Sequence, residues 1–283
     1  MKTTANLKKI AIIVSSKDVA GMLIRQQLLK NYGFEEIEGE SFEGSAVYSL
    51  PVEDYEARLF TTASDSIHCE DIDKRIPAGL FVFATRHYSK AGVPSLTTHS
   101  VGNWGKAEFG GKDGVICPTS VPLLKLFLQN IAAVAKSDSY DGDVVQEATH
   151  HGPYIEKPAV FIEVGSSVEQ WKDARLAAMV AESLIGGLGD YVALEKDFIS
   201  VVGLGGLHYA SGFRKLMLDS EYAVGHICPK NNLANLTPEL LRQAMSACVP
   251  EAKSVVLDWK GLGPEKQRIA ELLKSNDIEH FRV

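Results

Sequence analysis

Short apolar runs alternate along this chain with stretches whose apolar residues recur every three or four positions. Residues 10–15 (IAIIVS) read as a strand ended by Ser15-Ser16-Lys17-Asp18. Val19, Met22, Leu23, Leu28 and Leu29 then fall at helical spacing up to Gly33, a suitable C-terminal stop. Residues 46–50 and 57–62 read as short strands, and the unbroken Leu80-Phe81-Val82-Phe83-Ala84 has the pattern of a strand buried on both faces. Residues 122–136 are predicted as a helix with an apolar stripe of Leu123, Leu124, Phe127, Leu128, Ile131 and Ala135, opened by Thr119-Ser120 before a proline. Further on, 144–149, 160–164, 199–204, 223–228 and 254–259 read as strands. Residues 166–184, 237 to about 248, and 264–275 read as helices, the first opened by a capping box of Ser166 with Glu169 or Ser167 with Gln170. The sum is an α/β fold around a central mixed sheet, expected as one domain over residues 1–283. The polar turn at 137–143 is short for a linker.

Between 89 and 121 the periodicity fails. Gly92, Gly102, Gly105, Gly110, Gly111 and Gly114 punctuate the stretch, which is predicted to be a long functional loop. It holds His99, Asn103 and Trp104, residues a disordered linker would not favour.

Composition narrows the class. With 45% hydrophobic and 23% charged residues in 283, the chain can build a full-size core. Its apolar runs fall far short of the roughly 20 residues a membrane span needs. The polar start MKTTANLKK shows no signal-peptide core, and four scattered cysteines form no CxxC pair; a reducing cytoplasm is expected. The net charge of −7 means that any nucleic-acid contact is a local patch.

Candidate chemistry gathers at strand ends, where the loops of α/β proteins converge. His150-His151-Gly152-Pro153 ends one predicted strand, and His208 follows Gly203-Leu204-Gly205-Gly206-Leu207 at another. His226 lies in a third apolar run, and His99 in the glycine-rich stretch. Imidazoles are common zinc ligands; a histidine pair at a strand end fits a hydrogen-bonded turn as well. If the strand stays extended, Glu147 and His151 share a face, with His150 on the other or turned into the loop. Glu163 is a lone acid in an apolar strand and needs to be hydrogen-bonded, bound to metal or paired with a cation such as Arg175 or Lys172. There is no HExxH, Walker A or GxSxG sequence, and a histidine replaces the third glycine of a dinucleotide fingerprint at 203–208. Glycines there point to close approach of main chain to a ligand. The cysteines sit in apolar or proline-flanked contexts, which argues against a thiol nucleophile.

Several segments, in order, carry a resemblance. They are Asp18-Val19-Ala20-Gly21, Thr85-Arg86-His87-Tyr88-Ser89, Thr98-His99-Ser100-Val101-Gly102-Asn103, Phe109-Gly110-Gly111 and Glu147-Ala148-Thr149-His150-His151-Gly152-Pro153. Glu163-Val164-Gly165-Ser166, Glu169-Gln170-Trp171-Lys172-Asp173, Gly203-Leu204-Gly205-Gly206-Leu207-His208-Tyr209 and Gly225-His226 complete the series. Together they resemble the archaeal and plant type of D-aminoacyl-tRNA deacylase over nearly the whole chain. Tyr88 stands where a small residue is expected, and the last forty residues match poorly. The resemblance implies a zinc-dependent, monomeric hydrolase of a phosphorylase/hydrolase-like three-layer α/β/α fold. Its substrate would be charged tRNA, cleaved at the ester to the 3′ end.

With that resemblance, one or two zinc ions (Zn2+) are expected among His150, His151, Glu163, His208 and His226. Glu147 is the expected general base, and His99 and Arg86 are expected to stabilise the oxyanion or the leaving oxygen. Asn103, Lys90, Lys106 and Lys112 are expected to meet the tRNA, and Trp104 to stack on its terminal adenine. Two other readings remain open: a zinc exopeptidase or amidohydrolase on a similar fold, and a non-catalytic RNA- or nucleotide-binding protein.

Overall fold

The computed structural model describes residues 8–194 and 198–283, so most of the polar N-terminal stretch lies outside the described residues. The first part of the chain forms β1 (Lys8–Ser15), α1 (Val19–Asn31), β2 (Glu35–Phe42), β3 (Ser45–Val52), β4 (Tyr55–Thr62), α2 (Ile72–Arg75), β5 (Leu80–Arg86) and β6 (Ser95–His99). Then come β7 (Thr119–Ser120), α3 (Val121–Ser137), β8 (Asp143–Gln146), β9 (Ala159–Gly165), α4 (Val168–Trp171) and α5 (Ala174–Val192). The last part contains β10 (Ile199–Leu204), α6 (Arg214–Asp219), β11 (Tyr222–Cys228), α7 (Pro238–Ala247), β12 (Cys248–Val249), β13 (Ser254–Leu257), α8 (Lys266–Ser275) and β14 (His280–Arg282).

Eight strands form a mixed sheet in the order β2-β3-β4-β1-β5-β9-β6-β8. β1 pairs in parallel with β4 and β5, whereas β6 runs antiparallel to β9. The unbroken apolar run of β5 is buried on both faces, as its pattern requires. Val82 and Ala84 face the layer of α1, α3 and α5, while Phe81 and Phe83 face Ile72, Val101, Cys117 and Ile155 beneath the other side. Phe83 stacks on Phe161 with ring centroids 4.6 Å apart, and Phe161 in turn stacks on His99 at 4.9 Å. The core is thus the floor of the polar site described below. The expected α/β architecture, a central mixed sheet with flanking helices, is present. A separate four-stranded parallel sheet, β11-β10-β13-β14, was not foreseen. Helix α3 packs on β6 and β11 and so joins the two sheets.

Local signals account for most elements. Asp18 caps α1 by accepting from the Gly21 amide at 3.1 Å, and Thr237 caps α7 in the same way. Three expectations change. The glycine-rich stretch is not one loop, because β6 lies within it with all five residues buried. Its sequence, SLTTH, shows no apolar run because its hydroxyls are satisfied by distant groups, such as Phe161 O at 2.7 Å from Thr98 Oγ1. The helix expected over 166–184 is two helices: Ser167 and Gln170 form the capping box of α4, and Asp173 caps α5 through the Arg175 amide at 2.8 Å. The strand expected over 144–149 stops at Gln146, since the amides of Ala148 and Thr149 bond instead to His208 O and Ile227 O. No helix among the described residues is long and apolar enough to cross a membrane.

Candidate active site

Five chain segments end at one place on the main sheet: the end of β5, the end of β6, residues 147–151 after β8, Glu163 in β9, and His208 after β10. Each brings a titratable side chain. Glu163, 2% exposed, accepts from Thr85 Oγ1 at 2.6 Å and from Thr97 Oγ1 at 3.3 Å. Its Oε2 lies 3.5 Å from His99 Nε2 and 3.6 Å from His87 Nδ1. Glu147, 1% exposed, takes His208 Nε2 at 2.7 Å on Oε2 and His87 Nδ1 at 3.1 Å on Oε1. The partner that Glu163 needed is therefore a histidine pair; Arg175 is committed to Asp138 at 2.5 Å.

Burial alone would push both carboxyls up, yet the histidines hold both well below the usual carboxylate range: His208 and His87 for Glu147, His99 and His87 for Glu163. The same pairing acts on His87. Its burial favours the neutral ring, but Glu147 and Glu163 overcome this and raise it to about 11. A buried imidazolium thus bridges two buried carboxylates. His99 is likewise raised by Glu163 against its burial.

His99, His150 and His151 form a second constellation, with one ring nitrogen from each lying within 4.8 Å of the others. Each ring donates Nδ1–H to a backbone carbonyl: His99 to Ser100 O at 3.1 Å, His150 to Ala148 O at 2.8 Å, and His151 to Gly152 O at 2.6 Å. These bonds occupy Nδ1 of each ring and leave Nε2 to face other groups, that of His99 lying 3.5 Å from Glu163 Oε2; such carbonyl partners are the usual second shell of a metal-binding histidine. Burial, with the neighbouring histidines, drives His150 well below its usual value and His151 to about 4, so both rings are neutral. His99 Nε2 is buried without a hydrogen-bond partner. Three convergent imidazole nitrogens fit a divalent cation such as zinc. His87, Glu147 and His208 form a second group of the same compactness.

The alternation expected along 147–151 fails here. Because β8 ends early and His151 has a φ of 45°, the chain turns and both histidines join His99. Other expected residues lie elsewhere. His226 is fully buried away from both groups, bonded to Thr149 Oγ1 at 3.2 Å, and burial lowers it to about 3; the structure does not bring it to the proposed ligand set. Trp104 is 2% exposed and donates to Ile227 O at 3.0 Å, so it cannot stack on a base. Asn103 is buried and ties the loop together through Gly110 O at 3.0 Å. Lys90, Lys106 and Lys112 are exposed, with Lys112 Nζ 3.2 Å above the Tyr154 ring. The cysteines are buried, and their thiols are raised by burial, to about 11 for Cys69 and Cys117, which rules them out as nucleophiles.

His87 was not singled out as a site residue, although it follows the buried run of β5. The strand-end rule that marked His150 and His208 applies to it equally. A cleft of about 390 Å³ opens over these groups. Arg86 lines it, with its amide fixed by Asp18 Oδ2 at 2.7 Å and its guanidinium over Trp171. Tyr88 and Phe109 also line it and are 65% and 63% exposed. The loop that carries Phe109 passes so close to Ile67 that a Cβ on Gly110, whose φ is +76°, would meet Ile67 O at 1.9 Å.

The His87 bridge makes a prediction for chelator-treated protein. His87 is protonated when folded and, at an ordinary value near about 6.5, neutral above that pH when unfolded. Its contribution to stability is complete below that value and is lost as pH rises towards about 11. Urea midpoints should therefore fall over this window, and a His87→Gln variant should lose that part of the dependence. Identical slopes in the two proteins would refute the bridge.

Comparison with known proteins gives the family. Residues 75–281 match the family model described as D-aminoacyl-tRNA deacylase. A D-aminoacyl-tRNA deacylase of Pyrococcus furiosus is 35% identical over 274 residues, covering 93% of this chain and 95% of its own. One of Archaeoglobus fulgidus is 32% identical over 289 residues, covering 96% and 99%. A crystallised conserved protein of unknown function shares the fold with a TM-score of 0.84 at 30% identity, covering 98% of this chain and 95% of that one. Since the family model spans most of the chain and curated relatives align with it nearly end to end, this chain belongs to the D-aminoacyl-tRNA deacylase family.

Proposed function

We propose that this chain hydrolyses the ester joining a D-amino acid to the 3′ end of tRNA, in the cleft above His99, His150 and His151. The observation that carries the reading is the convergence of three tautomer-fixed imidazoles beside an ionised, buried carboxylate that bonds to a half-exposed histidine. Family membership supports the substrate class.

His99, His150 and His151 would hold the cation. When bound, zinc supplies a Lewis acid that polarises the ester carbonyl and makes water acidic enough to attack near neutral pH. Glu147 accepts the proton of the attacking water; its Oε2 lies 3.7 Å from His150 Nε2 and so borders the histidine trio. His208 Nε2–H, at 2.7 Å from the same oxygen, gives its proton to the leaving 3′ oxygen and is reprotonated by Glu147. His87 fixes the other oxygen of Glu147 and is a positioning residue. Arg86, on the cleft wall, places positive charge beside the developing oxyanion. His99 thus moves from the oxyanion role to the ligand set. Lys90 and Lys106 remain candidates for phosphate contacts. The reading is of one catalytic domain acting as a monomer in the cytoplasm, and of these only the compartment is supported by the four free thiols.

With Trp104 in the core, Phe109 and Tyr88 are the aromatic rings placed to meet the terminal base. Stacking on such a ring is worth about 1–3 kcal/mol per base. Phe109→Ala should therefore raise KM for charged tRNA by about 5- to 160-fold and leave kcat within about twofold. An unchanged KM would remove Phe109 from this role.

The function itself is tested with D-Tyr-tRNA and L-Tyr-tRNA, with and without chelator. Release of D-Tyr only, abolished by chelation and restored by zinc, is expected. Equal release of both enantiomers, or activity indifferent to chelation, would overturn the reading. Turnover of dipeptides instead would favour the exopeptidase alternative.

A further inference from the structure

The small sheet has a crevice of its own. In chain order β10 comes first, then β11, β13 and β14, so the spatial order β11-β10-β13-β14 is the 2-1-3-4 arrangement of a doubly wound parallel sheet. In such sheets ligands bind outside the carboxyl ends of the strands, where the order reverses. The reversal here falls between β10 and β13. A crevice of about 290 Å³ lies there, lined by Gly206 and Leu207 after β10, Lys230 after β11, and Asp258, Lys260 and Gly261 after β13.

Its chemistry is specific. Gly206, with a φ of +83°, and Gly261 put main chain instead of side chains on the wall, and Gly205, with a φ of +104°, supports them from behind. A Cβ on Gly205 would meet Asp258 O at 2.8 Å, and one on Gly261 would meet Asp258 Oδ2 at 2.3 Å. Asp258 Oδ1 accepts from the Gly261 amide at 2.8 Å, and Oδ2 has no donor among the described residues. Lys230 and Lys260 are exposed, and neither ammonium has an ion-pair partner among the described residues. Two free ammonium groups suit a phosphate, and a carboxylate oxygen beside them suits a sugar hydroxyl.

The crevice and the active-site cleft share one loop. Leu207 lines the crevice, and the next residue, His208, lines the cleft and bonds to Glu147. We propose that the crevice binds a ribose phosphate, supplied by the acceptor strand of the tRNA whose aminoacyl end occupies the cleft. Lys230 and Lys260 take the phosphate and Asp258 Oδ2 a ribose hydroxyl. This gives an acidic protein a local anion site where its substrate needs one. The source of the ribose phosphate rests on the deacylase reading; the chemistry of the crevice does not.

The test is a Lys230→Ala/Lys260→Ala double variant, compared with wild type on three probes: D-Tyr-tRNA, the phosphate-free ester 3′-O-D-tyrosyl-adenosine, and 5′-AMP binding by calorimetry. For the tRNA, KM should rise about 10-fold with kcat within about twofold. The slope of log affinity against log salt should become shallower by about 1.4, for two lost contacts to a single strand. Turnover of the phosphate-free ester should not change. If 5′-AMP binding is lost while KM for tRNA stays unmoved, the site holds ribose phosphate but its source is a free nucleotide. If neither moves, or if both esters suffer equally, the proposal is overturned. A wild-type protein that cleaves neither ester would instead defeat the deacylase reading, and the 5′-AMP arm would still judge the crevice.

Discussion

Glu147→Gln is expected to lower kcat on D-aminoacyl-tRNA by about 10²- to 10⁴-fold, the range that a positioned general base contributes. Glutamine keeps the shape of the side chain and can still accept from His208 or His87, but it cannot take a proton from water. The carboxylate is ionised across the working range because two histidines hold it so against its burial. The loss should therefore be flat with pH and not appear as a shifted limb. Glu147 lies outside the histidine trio, so the metal held by the trio and the circular-dichroism spectrum should match wild type. His87 keeps Glu163 at 3.6 Å as a partner, which limits damage to the fold. A variant that retains kcat within about threefold would show that another group takes the proton.

His150→Ala should remove both metal and activity. It deletes one of three Nε2 donors, so metal affinity should fall by more than about 10²-fold, the upper end of the cost of losing an outer-shell partner alone. Deacylation should fall with it and recover in part at high zinc. His226→Asn is the matched control, because spacing along the chain places both histidines in one candidate set and the structure separates them. His226 is neutral, fully buried and bonded to Thr149. Its replacement should lower the melting temperature and leave metal content unchanged. Mass spectrometry of the purified proteins decides both. Full metal and turnover in the His150 variant would exclude this trio as the binding site.

Local pattern made much of the molecule legible. The runs of β1, β5, β9 and β10, the stripe of α3 and the Thr237 start of α7 each follow from period and capping within a few residues. The strand-end rule marked His150, His151 and His208, and the cost of burying a lone acid marked Glu163. Each of these signals is local, or expresses what a single side chain requires.

What failed depended on distant partners. β6 is hidden because its threonines bond to Phe161 and Glu163, more than sixty residues away. Trp104 looked like an exposed stacking ring until its indole N–H met Ile227 O, 123 positions on. His226 and His150 belong to similar sequence contexts, and only the early end of β8 and the left-handed turn at His151 bring one to the cluster and not the other. The sequence by itself determined the elements, the buried faces and a pool of candidate ligands, because periodicity and burial cost act within a few residues. Tertiary structure alone decided which imidazoles converge, which tautomer each adopts and where the second crevice opens, because those outcomes turn on hydrogen bonds and strand order between segments far apart in the chain.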